Sequence, residues 1–223
     1  MVYLLPILAV LLSFGLVFWL RPKSKERFKL LLAFSGTFLL SLTIFELLPE
    51  IYGSERPKVL GIFIMLGILL QIFLEFFSKG AEHGHVHQSS KSQLFPWLLF
   101  ISLSLHSLLE GVPVHTNETI IYGILIHKIP IAIILSIFLL ASNLSMPKIL
   151  TFVVLFAIMT PIGTFLTKEI PFINDIQSYL NALAIGVFFH ISTVILFESS
   201  DGHTFNLRKL VVIILGIAIA YYL

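Results

Sequence analysis

At 223 residues, with 57% hydrophobic and only 12% charged side chains, the chain falls outside the composition of a water-soluble domain, and its mean hydropathy of +1.01 agrees. Lipid is therefore its solvent. The formal charge of +2 rests on basic residues that flank apolar runs, which reads as membrane topology and not as a nucleic-acid surface; the absence of cysteine removes disulfides, thiolate metal sites and cysteine nucleophiles.

A hydrocarbon core about 30 Å thick takes about 20 apolar residues per helical crossing, because lipid satisfies no backbone donor or acceptor. Measured by that length, the apolar runs are 2–20, 30–48, 59–77, 94–114, 120–141, 149–166, 179–197 and 210–223. The predicted fold is an all-α integral membrane protein of eight transmembrane helices, a single domain over residues 1–223. The first run has no basic residue before it and a basic cluster after it, and no A-x-A-like cleavage site follows, so it reads as a retained helix and not a signal peptide. The last is short and is expected to begin near Leu207, with Arg208 and Lys209 reaching the interface.

Basic residues orient the bundle. Arg21, Lys23, Lys25, Arg27, Lys29, Lys79, Lys91, Lys148, Arg208 and Lys209 fall on one side, against Arg56, Lys58 and Lys168 on the other. The richer side is expected to be cytoplasmic, which leaves both termini outside, in a plasma (inner) membrane. Residues 78–93 form the longest loop, polar and histidine-containing, on the cytoplasmic side. Within it His83, His85 and His87 alternate as HGHVH, a pattern suited to weak capture of a borderline cation or to no function beyond solvation. Gly36, Phe38 and Thr43 in the second run match Gly186, Phe188 and Thr193 in the seventh at equal offsets, in helices predicted to run oppositely. An inverted repeat would leave that trace.

An ionisable group at the centre of a membrane helix costs about 2.5–3.5 kcal/mol or more, so each needs a partner, a water cavity or a function. The fourth run carries His106, Ser107 and Glu110 in LHSLLEGVPV, and the fifth carries His127 and Lys128 in IHKIPIAI. His106 and Glu110, four residues apart, share a helical face. At about 1.5 Å per residue, His106 lies about 18 Å from the cytoplasmic start of its run and His127 about 10 Å from the outer start of its own. Both therefore reach a similar depth, and the short connection makes the two helices antiparallel neighbours. Two imidazoles and a carboxylate suit zinc and related divalent ions; the rival reading is polar contact between helices.

Pro113 and Pro130 free the carbonyls of Leu109 and Ile126 beside these groups, or simply kink their helices. Two readings stand for Lys128: counter-ion to Glu110 in the empty site, or salt bridge to Glu46. Glu46 and His190 fall near the same level and are candidates for a fourth ligand or for lining the route, or are packed polar residues. Glu75, Glu198 and Glu50 lie at run ends, where interfacial solvation suffices.

HSLLEG, HKIP and the LLPE that ends the second run resemble the motifs of the ZIP (zinc and iron permease) family, in the family's order. The resemblance implies a 3+2+3 arrangement, inverted repeats around central helices four and five, and transport of zinc or a related ion into the cytosol. It implies His106, Glu110 and His127 as metal ligands, and it puts Ser107 and Lys128 at positions that in many members help hold a second ion. Ile131 stands where the family often has an acidic residue or histidine, and Lys128 replaces a neutral or acidic residue, so a single-ion site is expected. The expected transported substrate is zinc, iron(II), manganese or cadmium; the expected partners are the metal and the bilayer, with a homodimer left open and no nucleic acid. Two other classes remain at this point: a membrane-embedded zinc hydrolase, in which three ligands hold an activated water, and a metal sensor without flux. The leading reading is not an enzyme.

Overall fold

The structure is a computed structural model that describes residues 2–20, 25–78, 94–198 and 207–223. Among the described residues every element is helical: α1 (Leu4–Leu20), α2 (Lys25–Leu42), a π turn (Thr43–Leu47), α3 (Leu48–Tyr52), α4 (Pro57–Ser78), α5 (Trp97–Glu110), a 3-10 turn (Val112–His115), α6 (Ile120–Ala141), α7 (Met146–Glu169), α8 (Pro171–Asp175), α9 (Gln177–Glu198) and α10 (Leu207–Tyr221). Large apolar side chains such as Leu12, Trp19, Phe73, Phe76 and Ile214 lie on the outside, as they do where lipid is the solvent.

Among the described residues, six stretches are long and apolar enough to cross a membrane: Lys29–Tyr52, Pro57–Phe77, Trp97–His115, Ile120–Ala141, Met146–Glu169 and Gln177–Phe197. The chain is thus a multi-pass helical membrane protein. The first and last of the eight expected crossings are shorter, α1 with 17 residues and α10 with 15. α10 begins at Leu207, where the flanking Arg208 and Lys209 had placed it, and Lys209 Nζ donates to the Leu196 carbonyl at the end of α9.

Prolines set the two local departures from the predicted runs. Pro49 has no N–H to give the carbonyl four residues earlier, and the turn ahead of it widens, so that the Leu48 N–H reaches back to Thr43 O. Glu46 sits in that widened turn. The expected single helix over 94–114 is corrected: α5 ends at Glu110, and Pro113 falls in the separate 3-10 turn. Pro130, by contrast, lies inside an unbroken α6.

The helices pack in two groups. One joins α2, α4, α9 and α10 around Phe38, Leu42, Leu60, Ile185 and Phe188; the other joins α1, α5, α6 and α7 around Val10, Leu103, Leu135, Phe152 and Phe156. They meet where α2 packs on α6 and α4 on α5. Two glycine pairs bring backbones together: a Cβ on Gly67 or Gly186 would strike the other helix's carbonyls where α4 crosses α9. A Cβ on Gly111 would meet the Thr160 carbonyl oxygen, and one on Gly163 the Leu108 carbonyl oxygen. In lipid such close approach is a main source of helix association, since apolar contact with a neighbouring helix gains little over contact with tails. Gly163→Ala is therefore expected to lower the melting temperature of the detergent-purified protein, overpacking costing about 1–3 kcal/mol. Gly15→Ala, where no atom lies within 4 Å of the added carbon, leaves it unchanged or raised.

Candidate metal centre

The last turn of α5 and the middle of α6 build the centre. The α-helical spacing sets His106 over Glu110, and α6 supplies His127 and Lys128 as neighbours. None of the four is more than 2% exposed. His106 Nε2 lies 3.0 Å from Glu110 Oε1 and His127 Nε2 lies 3.8 Å from the same oxygen, with ring centroids 6.1 Å apart. One ligand atom from each of the three falls within 4.8 Å of the others, close enough to hold a metal ion, and among the described residues no fourth His, Cys, Asp or Glu joins them.

Glu110 divides its two oxygens between different tasks. Oε1 faces the imidazoles, while Oε2 accepts from Lys128 Nζ at 2.6 Å and lies 3.4 Å from Thr160 Oγ1. Lys128 also donates to Ser107 Oγ at 2.9 Å, and its ammonium lies 5.0 Å from the centre of the Phe156 ring. Of the two readings of Lys128, the structure takes the pairing with Glu110. Glu46 accepts instead from Asn117 Nδ2 at 3.3 Å.

His190 Nε2 lies 2.7 Å from Glu75 Oε2, between α9 and α4. Neither Glu46 nor His190 is brought into the group of three, and Glu75 has a specific partner where interfacial solvation was expected to suffice. His83, His85 and His87 lie outside the described residues.

Three polar residues in the centre's surroundings were not singled out from the sequence. Thr160 Oγ1 lies 2.9 Å from both the Ser107 hydroxyl and the Ser107 carbonyl oxygen, and Thr164 Oγ1 donates to Gly111 O at 2.9 Å. Both hydroxyls serve carbonyls at the end of α5, the helix that stops short before Pro113. Gln71 Oε1, on α4, stands 3.3 Å from His106 Nδ1. The signal for all three was present: a hydroxyl or amide within a membrane run needs a partner, and that partner is often another helix's polar group.

The arrangement has the donors and the spacing to hold a divalent cation within a membrane protein. Residues 78–223, about two thirds of the chain, match the model of the ZIP zinc transporter family, and the chain belongs to that family, whose members are transporters and not enzymes. It is similar to a zebrafish (Danio rerio) protein named zinc transporter ZIP1, 34% identical over 122 residues that cover 50% of this chain and 40% of that protein. It is also similar to zinc transporter ZIP1 of Takifugu rubripes, 29% identical over 62% of this chain and 50% of the relative. A third relative is protein zntD of Dictyostelium discoideum, 31% identical over 62% of this chain and 24% of the relative. The chain thus spans half or less of the length of these curated relatives.

Breaking one side of a buried ion pair leaves an uncompensated charge and costs about 3–5 kcal/mol. Lys128→Met is accordingly expected to lower the thermal stability of the purified protein, and the double variant Lys128→Met, Glu110→Gln to recover most of the loss. Equal melting temperatures for Lys128→Met and wild type would show the pair to be energetically idle.

Proposed function

We propose that this chain carries a divalent metal ion, zinc first among zinc, iron(II), manganese and cadmium, across the membrane toward the cytoplasm. The observation that carries the reading is the convergence of His106, Glu110 and His127 in a space that needs a cation to justify its donors. One carboxylate oxygen is engaged by Lys128, which leaves a single face of donors and favours one ion over two. In this reading Ser107 and Lys128 fill the place where a second ion would sit. Glu46 and His190 line the route or gate it at different points, and the 78–93 loop, through His83, His85 and His87, receives ions at the cytoplasmic side.

We further propose that α1 and α10 also cross, giving eight crossings over residues 1–223 with both termini outside, in the plasma (inner) membrane. In the 3+2+3 order, the first and last three crossings form inverted repeats around the α5 and α6 crossings. Gly36 of α2 lies against Ile195 and Ser192 of α9, so the two segments with matching Gly, Phe and Thr positions pack on each other, as repeats related by a pseudo-twofold axis do.

The test is uptake of radioactive zinc into proteoliposomes, with competing metals added and lipid turnover measured on the same preparation. Wild type accumulates zinc and leaves lipid intact. Glu110→Gln loses most of the uptake while its circular dichroism remains that of an inserted helical protein, its melting temperature lowered because Lys128 loses its partner. Undiminished flux in that variant contradicts the site, and lipid turnover without flux favours a hydrolase.

A further inference from the structure

We propose that Gln71 is a positioning residue for the metal: its side-chain oxygen accepts the Nδ1–H of His106, which fixes the ring in the form whose Nε2 faces the ion. The inference rests on the carrier reading and deepens it. In run 59–77 the polar residues are Gln71 and Glu75, and Gln71 is wholly buried at 0% exposure. A buried amide in a membrane helix is costly to leave without a purpose. Its oxygen stands 3.3 Å from His106 Nδ1, while the other ring nitrogen, Nε2, lies 3.0 Å from the carboxylate oxygen that also faces His127.

The two nitrogens of one ring therefore face different partners, an amide oxygen on α4 and the donor cluster on α5 and α6. An imidazole that ligates through Nε2 must keep its remaining proton on Nδ1, and an acceptor at Nδ1 both selects that tautomer and makes Nε2 a stronger donor. With no such acceptor the proton is free to sit on Nε2, where it stands in the way of the ion. Gln71 also holds the ring's rotation, because the acceptor comes from a helix outside the group that carries the ligands.

A purely structural Gln71 would act as a spacer between α4 and α5, and the substitutions Gln71→Met and Gln71→Glu separate the two roles. Methionine keeps the length and bulk without the acceptor; glutamate keeps an acceptor at the same reach. Zinc binding to the detergent-purified full chain, followed by titration calorimetry, is expected to weaken about 10–100-fold in Gln71→Met, as loss of an outer-shell partner does, and to stay near or above wild type in Gln71→Glu. Nitrogen-15 NMR of the zinc-loaded wild type is expected to show His106 protonated at Nδ1 and metal-bound at Nε2.

Wild-type affinity in Gln71→Met, equal weakening in both variants, or an Nδ1-bound metal in wild type would each overturn the proposal. An Nδ1-bound metal in wild type overturns the proposal even where a variant fails to fold. His106→Ala and Glu110→Gln serve as controls. If they bind zinc as wild type does, the carrier reading falls; if they lose zinc and Gln71→Met does not, only the role of Gln71 falls.

Discussion

The centre depends on one carboxylate that must be both charged and hidden. Glu110 is 1% exposed in a lipid-embedded bundle, and a lone carboxylate there would be too expensive to remain ionised. Lys128 resolves this by bonding to Oε2 at 2.6 Å, and Ser107 and Thr160 steady the same pair through their hydroxyls. The other oxygen is thereby left to the imidazoles. Had both oxygens faced the imidazoles, the anion would have lacked the lysine as its resident partner; without the lysine, Glu110 would have needed a proton or another cation to neutralise it.

Packing serves this arrangement. α5 stops at Glu110, ahead of Pro113, which has no N–H for the Leu109 carbonyl, and the neighbouring carbonyls of Ser107 and Gly111 accept from Thr160 and Thr164 of α7, at a place where Gly111 and Gly163 let the two backbones touch. Thr160, one of the two, also reaches the Ser107 hydroxyl and Glu110. Stability of the helix end and placement of the carboxylate are thus one problem with one solution.

Much of this was legible in the sequence, and the boundary of what was legible has physical causes. The run 120–141 is reproduced residue for residue as α6, since its hydrophobicity is continuous and its flanks are polar. His106 over Glu110 follows from helical spacing alone, and the shared level with His127 follows from rise per residue. The π turn before Pro49 did not follow, because a proline tells that hydrogen bonding is interrupted and not how the chain re-closes it. The choice of Glu110 over Glu46 as partner for Lys128 was open for a similar reason: depth estimates place groups on a level but do not say which helices touch. Gln71, Thr160 and Thr164 carry no formal charge and do not stand out in the sequence, yet in lipid an uncharged amide or hydroxyl also demands a partner.

One feature of α4 reaches beyond its role beside the centre. Its inward seam is narrow, with Leu60, Gly67, Gln71 and Leu74 buried while Ile62, Met65, Leu66, Leu69, Ile72, Phe73 and Phe76 look outward. The apolar side chains of such a cylinder give it little to choose between one azimuth and another, since tails wet every side of it alike. The amide breaks that indifference: a quarter-turn about the helix axis would carry it into hydrocarbon and push side chains into the Gly67 crossing. Gln71 thus acts with Glu75, paired to His190, as a key that sets the roll of the span.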